Sequence, residues 1–151
     1  MSGISDLGWC KFFSGSIEEA IPAQEQAIRL SPRDPYISSW YWRIGVVHLV
    51  QSRTDEAIIW MEKARNAVPK RPFYRYGLAS AYALKGETAR AAAELAEARR
   101  LNTDERFSSI ARLKATGFWP GSSGYWGVPK IRALFETTFF AGLRKAGMPE
   151  E

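Results

Sequence analysis

The chain has 151 residues, 46% of them apolar and 25% charged, with a formal net charge of +5; this is enough apolar material for one packed core or a short row of repeats, and it excludes a disordered segment. No run approaches the roughly 20 apolar residues needed to span a bilayer, and no basic start leads into an apolar core with a small-residue cleavage site, so neither a membrane partner nor a secretory leader is expected. A single cysteine, Cys10, excludes an internal disulfide and fits a reducing compartment, so a cytoplasmic location is expected. The basic pairs Lys70-Arg71, Arg99-Arg100 and Arg144-Lys145 are interspersed with acids rather than gathered into a stripe, and no nucleic-acid partner is expected.

Leu7 and Gly8 open the first amphipathic pattern, with Lys11 following. Ser16 and Glu19 have the spacing of a capping box that starts a second helix, along which Ala20, Gln24 and Ala27 fall before Pro32. The stretch from Ser38 to Pro69 holds two further patterns back to back across the turn Gln51-Ser52-Arg53. Tyr41, Ile44, Gly45 and His48 lie in the first of these, Ala57, Met61 and Ala64 in the second. Gly8 to Gly45, Ala20 to Ala57, Ala27 to Ala64 and Pro32 to Pro69 share one offset. A second offset, three residues shorter, links Ile44 to Leu78, Gly45 to Ala79, His48 to Tyr82, Ala57 to Ala91, Met61 to Leu95 and Ala64 to Ala98; the extra residues lie around Arg33-Asp34-Pro35. Small residues such as Gly45 and Ala57 let two antiparallel helices approach closely, while bulkier neighbours fill the space between pairs. Gly86 breaks the third pair at its turn.

Thr103 or Asp104 is placed to cap a further helix in which Phe107, Ile110, Ala111 and Lys114 share one side, expected to cover the open end of the third pair. Thr116 to Pro129 is rich in Gly, Ser and Pro and predicts a loop, yet it carries Phe118, Trp119, Tyr125 and Trp126, an aromatic load that marks a contact. Lys130 to Ala146 predicts a helix, with Pro129 suited to its first turn and Gly147 and Pro149 ending it. Ile131, Leu134, Phe135, Phe139, Leu143 and Ala146 form its apolar stripe, expected to dock on the array, in cis or by exchange, with the outer end as the alternative to its inner face.

The spacing of Leu7-Gly8, Ile44-Gly45, Leu78-Ala79 and the alanines that follow resembles the tetratricopeptide repeat (TPR), which recurs at about 34 residues. The resemblance covers roughly 1–114, as three units plus a capping helix; an aromatic Gly/Pro/Ser loop follows at 115–129, and a C-terminal helix and tail at 130–151. It implies an all-α, right-handed superhelix of antiparallel helix pairs with a C-terminal helical extension. The first unit departs from the pattern at Lys11 and Gln24, as a terminal repeat or one that others precede; the third departs at Arg75 and Thr103.

By the same resemblance the first helix of each pair lines a concave groove. That nominates Ser5, Trp9 and Phe12, then Ser39, Trp42, Val46 and Leu49, then Phe73, Tyr76, Ser80 and Ala83 as partner-binding residues. None is the Lys, Arg or Asn that grips a peptide carboxylate in other TPR grooves, so the implied partner is a helix or extended peptide with apolar anchors.

A narrower resemblance lies in YWGVPKIRALFETTFFAGLRKAGMPEE with IRLSPRDP and FSSIARLKA: these runs resemble the C-terminal end of bacterial class III adenylate/guanylate cyclases with TPR tails. It implies an interaction or regulatory role; the catalytic domain has no counterpart here. No catalytic, metal or cofactor set is expected, and the chain is read as a non-enzyme. His48 is the only histidine and holds a packing position, Cys10 is expected to be a small buried residue, and Glu18, Glu19, Glu94 and Glu97 to lie on solvated faces. GSSGYWG lacks the Gly-Lys-Ser/Thr ending of a phosphate loop. The alternative function is self-association, with the first repeat or the last helix pairing chains into a symmetric dimer.

Overall fold

The computed structural model describes residues 3–103, 105–116 and 127–151. The described residues form helices and no strand, in an all-α TPR-type array. Helix α1 (Gly3–Phe13) pairs with α2 (Ala20–Leu30), α3 (Ile37–Val50) with α4 (Thr54–Ala67), and α5 (Pro72–Lys85) with α6 (Thr88–Leu101). The second helix of one pair packs on the first helix of the next, α2 on α3 and α4 on α5. Helix α7 (Ile110–Thr116) follows, then α8 (Pro129–Phe135), a π turn over Glu136–Phe140, and α9 (Ala141–Ala146).

Each pair closes through the same turn. Gly15, Ser52 and Gly86 occupy one repeat position, and all three have positive φ, at 107°, 64° and 90°. The next amide in each case reaches back to the last turn of the first helix: Ser16 N–H to Lys11 C=O, Arg53 N–H to His48 C=O and Glu87 N–H to Tyr82 C=O, each 2.9 Å. This left-handed cap satisfies carbonyls that the helix end leaves free.

Within each pair the helices meet at small residues. A methyl built on Gly45 would sit 2.6 Å from Met61 Cγ and 3.2 Å from the Ala57 carbonyl, both part of α4. Ala20, Ala57 and Ala91 are fully buried opposite.

Three local expectations are corrected. Ser16 and Glu19 form no capping box: a 3-10 turn over Ile17–Glu19 separates Ser16 from α2, its hydroxyl makes no cap bond, and Glu19 pairs with Lys11 at 3.0 Å. The helix expected from Thr103 or Asp104 starts at Ile110 instead, where the Ser109 hydroxyl accepts the Arg112 amide at 3.2 Å. Ile110 and Leu113 are its buried residues, and Ala111 is exposed. Helix α7 also braces the chain's last residues: the amides of Ile110 and Ala111 donate to the carbonyls of Pro149 and Glu150 at 2.9 Å, and Lys114 pairs with Glu136. The aromatic residues Phe118, Trp119, Tyr125 and Trp126 lie outside the described residues.

Two substitutions test this geometry by chemical denaturation. Gly45→Ala is expected to cost about 1–2 kcal/mol, overpacking against Met61 outweighing the gain in helix propensity. Ser52→Gly is expected to stabilise by roughly 0.5–1 kcal/mol by relieving a left-handed conformation. A neutral Gly45→Ala, or a Ser52→Gly that destabilises, would contradict the contacts described.

Candidate interaction groove

Helices α1, α3 and α5 present a chain of rings on the inner side of the array. Trp9 stacks on Phe12 at 5.1 Å and meets Trp42 edge-on at 6.3 Å. Trp42 packs on Phe73 at 4.6 Å, and Phe107 closes the row against Phe73 at 5.3 Å and Tyr76 at 5.9 Å.

The C-terminal helices lie on this surface. Helix α9 packs along α5, and the π turn contacts both α3 and α5. The Val128 amide donates to the Phe13 carbonyl at 2.9 Å, pinning the start of the tail to the end of α1. Phe135 then stacks parallel to Phe13 at 6.0 Å and meets Phe12 edge-on at the same distance. The Ser80 hydroxyl donates to the Phe139 carbonyl at 2.8 Å. Gly142 lies so close that a methyl there would be 2.5 Å from the Ser80 carbonyl oxygen.

The π turn has a visible cause. Thr138, Phe139 and Phe140 are all buried in succession, which a 3.6-residue turn cannot arrange on a narrow face. The wider turn brings both phenylalanines inward, their rings edge-on at 5.7 Å. Thr138 donates its hydroxyl to the Leu134 carbonyl at 2.6 Å, and Thr137 to that of Ala133 at 3.2 Å, serving carbonyls that the irregular turn leaves poorly bonded. Ile131, Phe135, Phe139, Phe140, Leu143 and Met148 are all buried. At about 1.5–3 kcal/mol for each, their gross stabilisation is on the order of 10 kcal/mol before chain entropy is counted.

Of the nominated residues, Trp9, Phe12, Trp42, Val46, Leu49, Tyr76, Ser80 and Ala83 are buried, and Phe73 is half-buried; Trp9, Phe12, Trp42, Val46, Leu49, Tyr76 and Ala83 share one apolar cluster with the tail. Two turn elsewhere. Ser5 bonds to the side chain of Gln24 in α2, and Arg43 donates to its hydroxyl at 2.6 Å. The Gln24 amide also donates to the Ser5 carbonyl at 2.9 Å, which accounts for an amide at a position that is apolar in the other units. Ser39 sits at the rim, 3.2 Å from the Tyr74 hydroxyl. Phe13, Phe107 and Phe140 also build the surface and were not nominated; the adjacent pairs Phe12-Phe13 and Phe139-Phe140 are the only sequence signal for two of them.

Charged groups join the units. Glu94 is buried, not solvated, between Arg65 of α4 and Arg75 of α5, the latter at 3.1 Å. Arg75 replaces an aromatic residue of the repeat pattern because this carboxylate and the Pro69 carbonyl engage it. Glu62 of α4 accepts from the Tyr82 hydroxyl and pairs with Arg90 at 3.2 Å; burial, then this carboxylate, push the Tyr82 phenol up to about 12. Cys10 is exposed, contrary to the expectation of a small buried residue. Among the described residues no group of three or more His, Cys, Asp or Glu is arranged to hold a metal ion.

His48 is half-buried, and its Nδ1 accepts from Arg53 at 3.0 Å. Burial, then the Arg53 charge, lower its pKa against the pull of Glu56 and Glu25. Below the ordinary imidazole value of 6.5 the unfolded chain therefore takes up a proton that the folded chain refuses. Stability is full above that pH, falls as pH drops through it, and levels off below the folded-state pKa. His48→Tyr, the residue of the third unit, should flatten the denaturation midpoint between about pH 7.5 and 5.5. An unchanged slope in that window would assign the effect to another group.

Residues 6–72 match the family model described as tetratricopeptide repeat. No curated protein matches the chain. No helix among the described residues is long and apolar enough to cross a membrane. The matched segment spans the first two helix pairs and reaches the start of the third, and with the stacked pairs it identifies the fold as all-α and TPR-type.

Proposed function

We propose that this chain is a protein-interaction module whose inner surface recognises an amphipathic helix through aromatic anchors. TPR repeats generally mediate protein–protein interaction. The observation that carries the finer reading is the tail itself: a helix with Phe135, Phe139, Phe140 and Leu143 buried against α1, α3 and α5, its backbone fixed by Ser80. Trp9, Phe12, Trp42, Val46, Leu49, Phe73, Tyr76, Ser80 and Ala83 are the receptor side in this reading, and Ser5 and Ser39 support its walls. A partner helix with the same anchors exchanges with the tail. No cofactor, nucleic acid or membrane enters this reading.

The finer role is a regulatory or interaction tail related to signalling nucleotide cyclases. It rests on the runs IRLSPRDP, FSSIARLKA and YWGVPKIRALF alone.

Gly142→Leu in the full chain should undock the tail by clashing with Ser80, raise binding of a hydrophobic dye, and let a synthetic peptide of residues 127–151 bind in trans. Wild-type chain should take up little of either. A variant that stays helical and exposes dye-binding surface yet binds no peptide would remove the helix-recognition reading. A class III cyclase catalytic domain that neither forms a complex with the chain nor changes its rate on mixing would remove the cyclase link while leaving the first reading untouched.

A further inference from the structure

The three inner helices are not equivalent along the groove. Trp9, Val46 and Ser80 share one repeat position, and Phe12, Leu49 and Ala83 share another. All six are buried. The wall therefore steps down from large side chains on α1 to small ones on α5.

The tail follows this gradient in the opposite sense. Its early anchor, Phe135, meets the rings of Phe12 and Phe13 at the α1 end. Its later half comes down on the backbone of α5. A methyl added to Gly142 would stand 2.5 Å from the Ser80 carbonyl oxygen and 2.9 Å from the carbonyl carbon, closer than a real methyl comes. Helix α5 is itself packed between α4 and α6, so its backbone cannot retreat. Even alanine is excluded at this point of the occupant. Three residues earlier on the same helix, the Phe139 carbonyl accepts the Ser80 hydroxyl at 2.8 Å, which fixes the depth and register of the approach. Glycine inside a helix costs roughly 1 kcal/mol relative to alanine, so Gly142 opposes the tail's own helix propensity and the close contact accounts for it.

We propose that the groove selects partner helices by a glycine at the Ser80 contact. The helix carries aromatic residues seven, three and two positions before that glycine and an apolar residue directly after it, as Phe135, Phe139, Phe140 and Leu143 stand to Gly142. It runs from α1 toward α5. The selectivity rests on the inner surface being a helix receptor, as proposed above, and narrows the partner class: an equally apolar helix with alanine or leucine at the glycine position is refused.

Fluorescence anisotropy of labelled peptides of residues 127–151, added to the Gly142→Leu full chain, tests this. The native peptide should bind. Gly142→Ala in the peptide should weaken binding at least about tenfold, against the direction its higher helix propensity sets. Lys145→Ala, at an exposed position, should not weaken it. A peptide of reversed sequence, with the same composition, should not bind. Ser80→Ala in the receiving chain should weaken the native peptide yet keep the preference for glycine, which lies in the α5 backbone. Equal or tighter binding of the Gly142→Ala peptide, or equal binding of the reversed one, overturns the selectivity and leaves helix recognition standing. Binding by no peptide removes helix recognition and the selectivity with it. Gly142→Ala in the full chain is read without any peptide: it should raise hydrophobic-dye binding and lower the denaturation midpoint. Wild-type values there overturn the proposal whatever the peptides do.

Discussion

Helices in this protein come together where a side chain is missing. Gly8 and Gly45 face buried alanines across their pairs, and the third unit manages with Ala79 against Ala91. The tail repeats the device on a different element: Gly142 lets α9 settle against the Ser80 backbone, and Ser80 answers with a hydrogen bond to the Phe139 carbonyl. Close approach of backbones brings the flanking large residues into contact on both sides, which is how so many rings share one cluster. Remove the close approach and the aromatic contacts are held at the wrong distance, since interiors packed to crystal density do not stretch.

What the sequence made legible follows from that constraint. Gly8, Gly45 and the alanines recur at fixed offsets because any larger residue is excluded there, so the helix pairs could be read directly. The left-handed turn is half legible: Gly15 and Gly86 announce it, but Ser52 adopts the same conformation with no glycine to signal it. The first unit misled at Ser16 and Glu19, since a capping-box spacing carries no information about a 3-10 turn inserted before the helix. Cys10 misled for a different reason. Its repeat position is a buried one, and only the stacking of another element, not the residue itself, would bury it.

Charges were the least legible feature. Glu94 and Glu62 sit on helix faces with polar neighbours, and along one helix such a pattern reads as solvated. Their partners come from other helices: Arg65 and Arg75 converge on Glu94 from α4 and α5, and Tyr82 and Arg90 on Glu62 from α5 and α6. Arg65–Glu94 and the contacts of Glu62 cross between units, where apolar packing alone is tolerant of sliding, while Arg75–Glu94 ties α5 to α6 within the third unit. Glu62, with both donors on the neighbouring unit, has a narrow set of satisfied geometries, and so fixes the register of the stack more than it adds to its stability.

The tail changes what an interaction surface means in this fold. With Phe135, Phe139 and Leu143 buried, the concave side behaves as core, and in the proposed reading an incoming helix competes against a tethered occupant. The tether gives the tail an effective concentration that a free partner lacks, so exchange favours ligands with better anchors or weakened tails. Helix α9 also reaches α6, so the tail covers part of the last pair as well as the inner side.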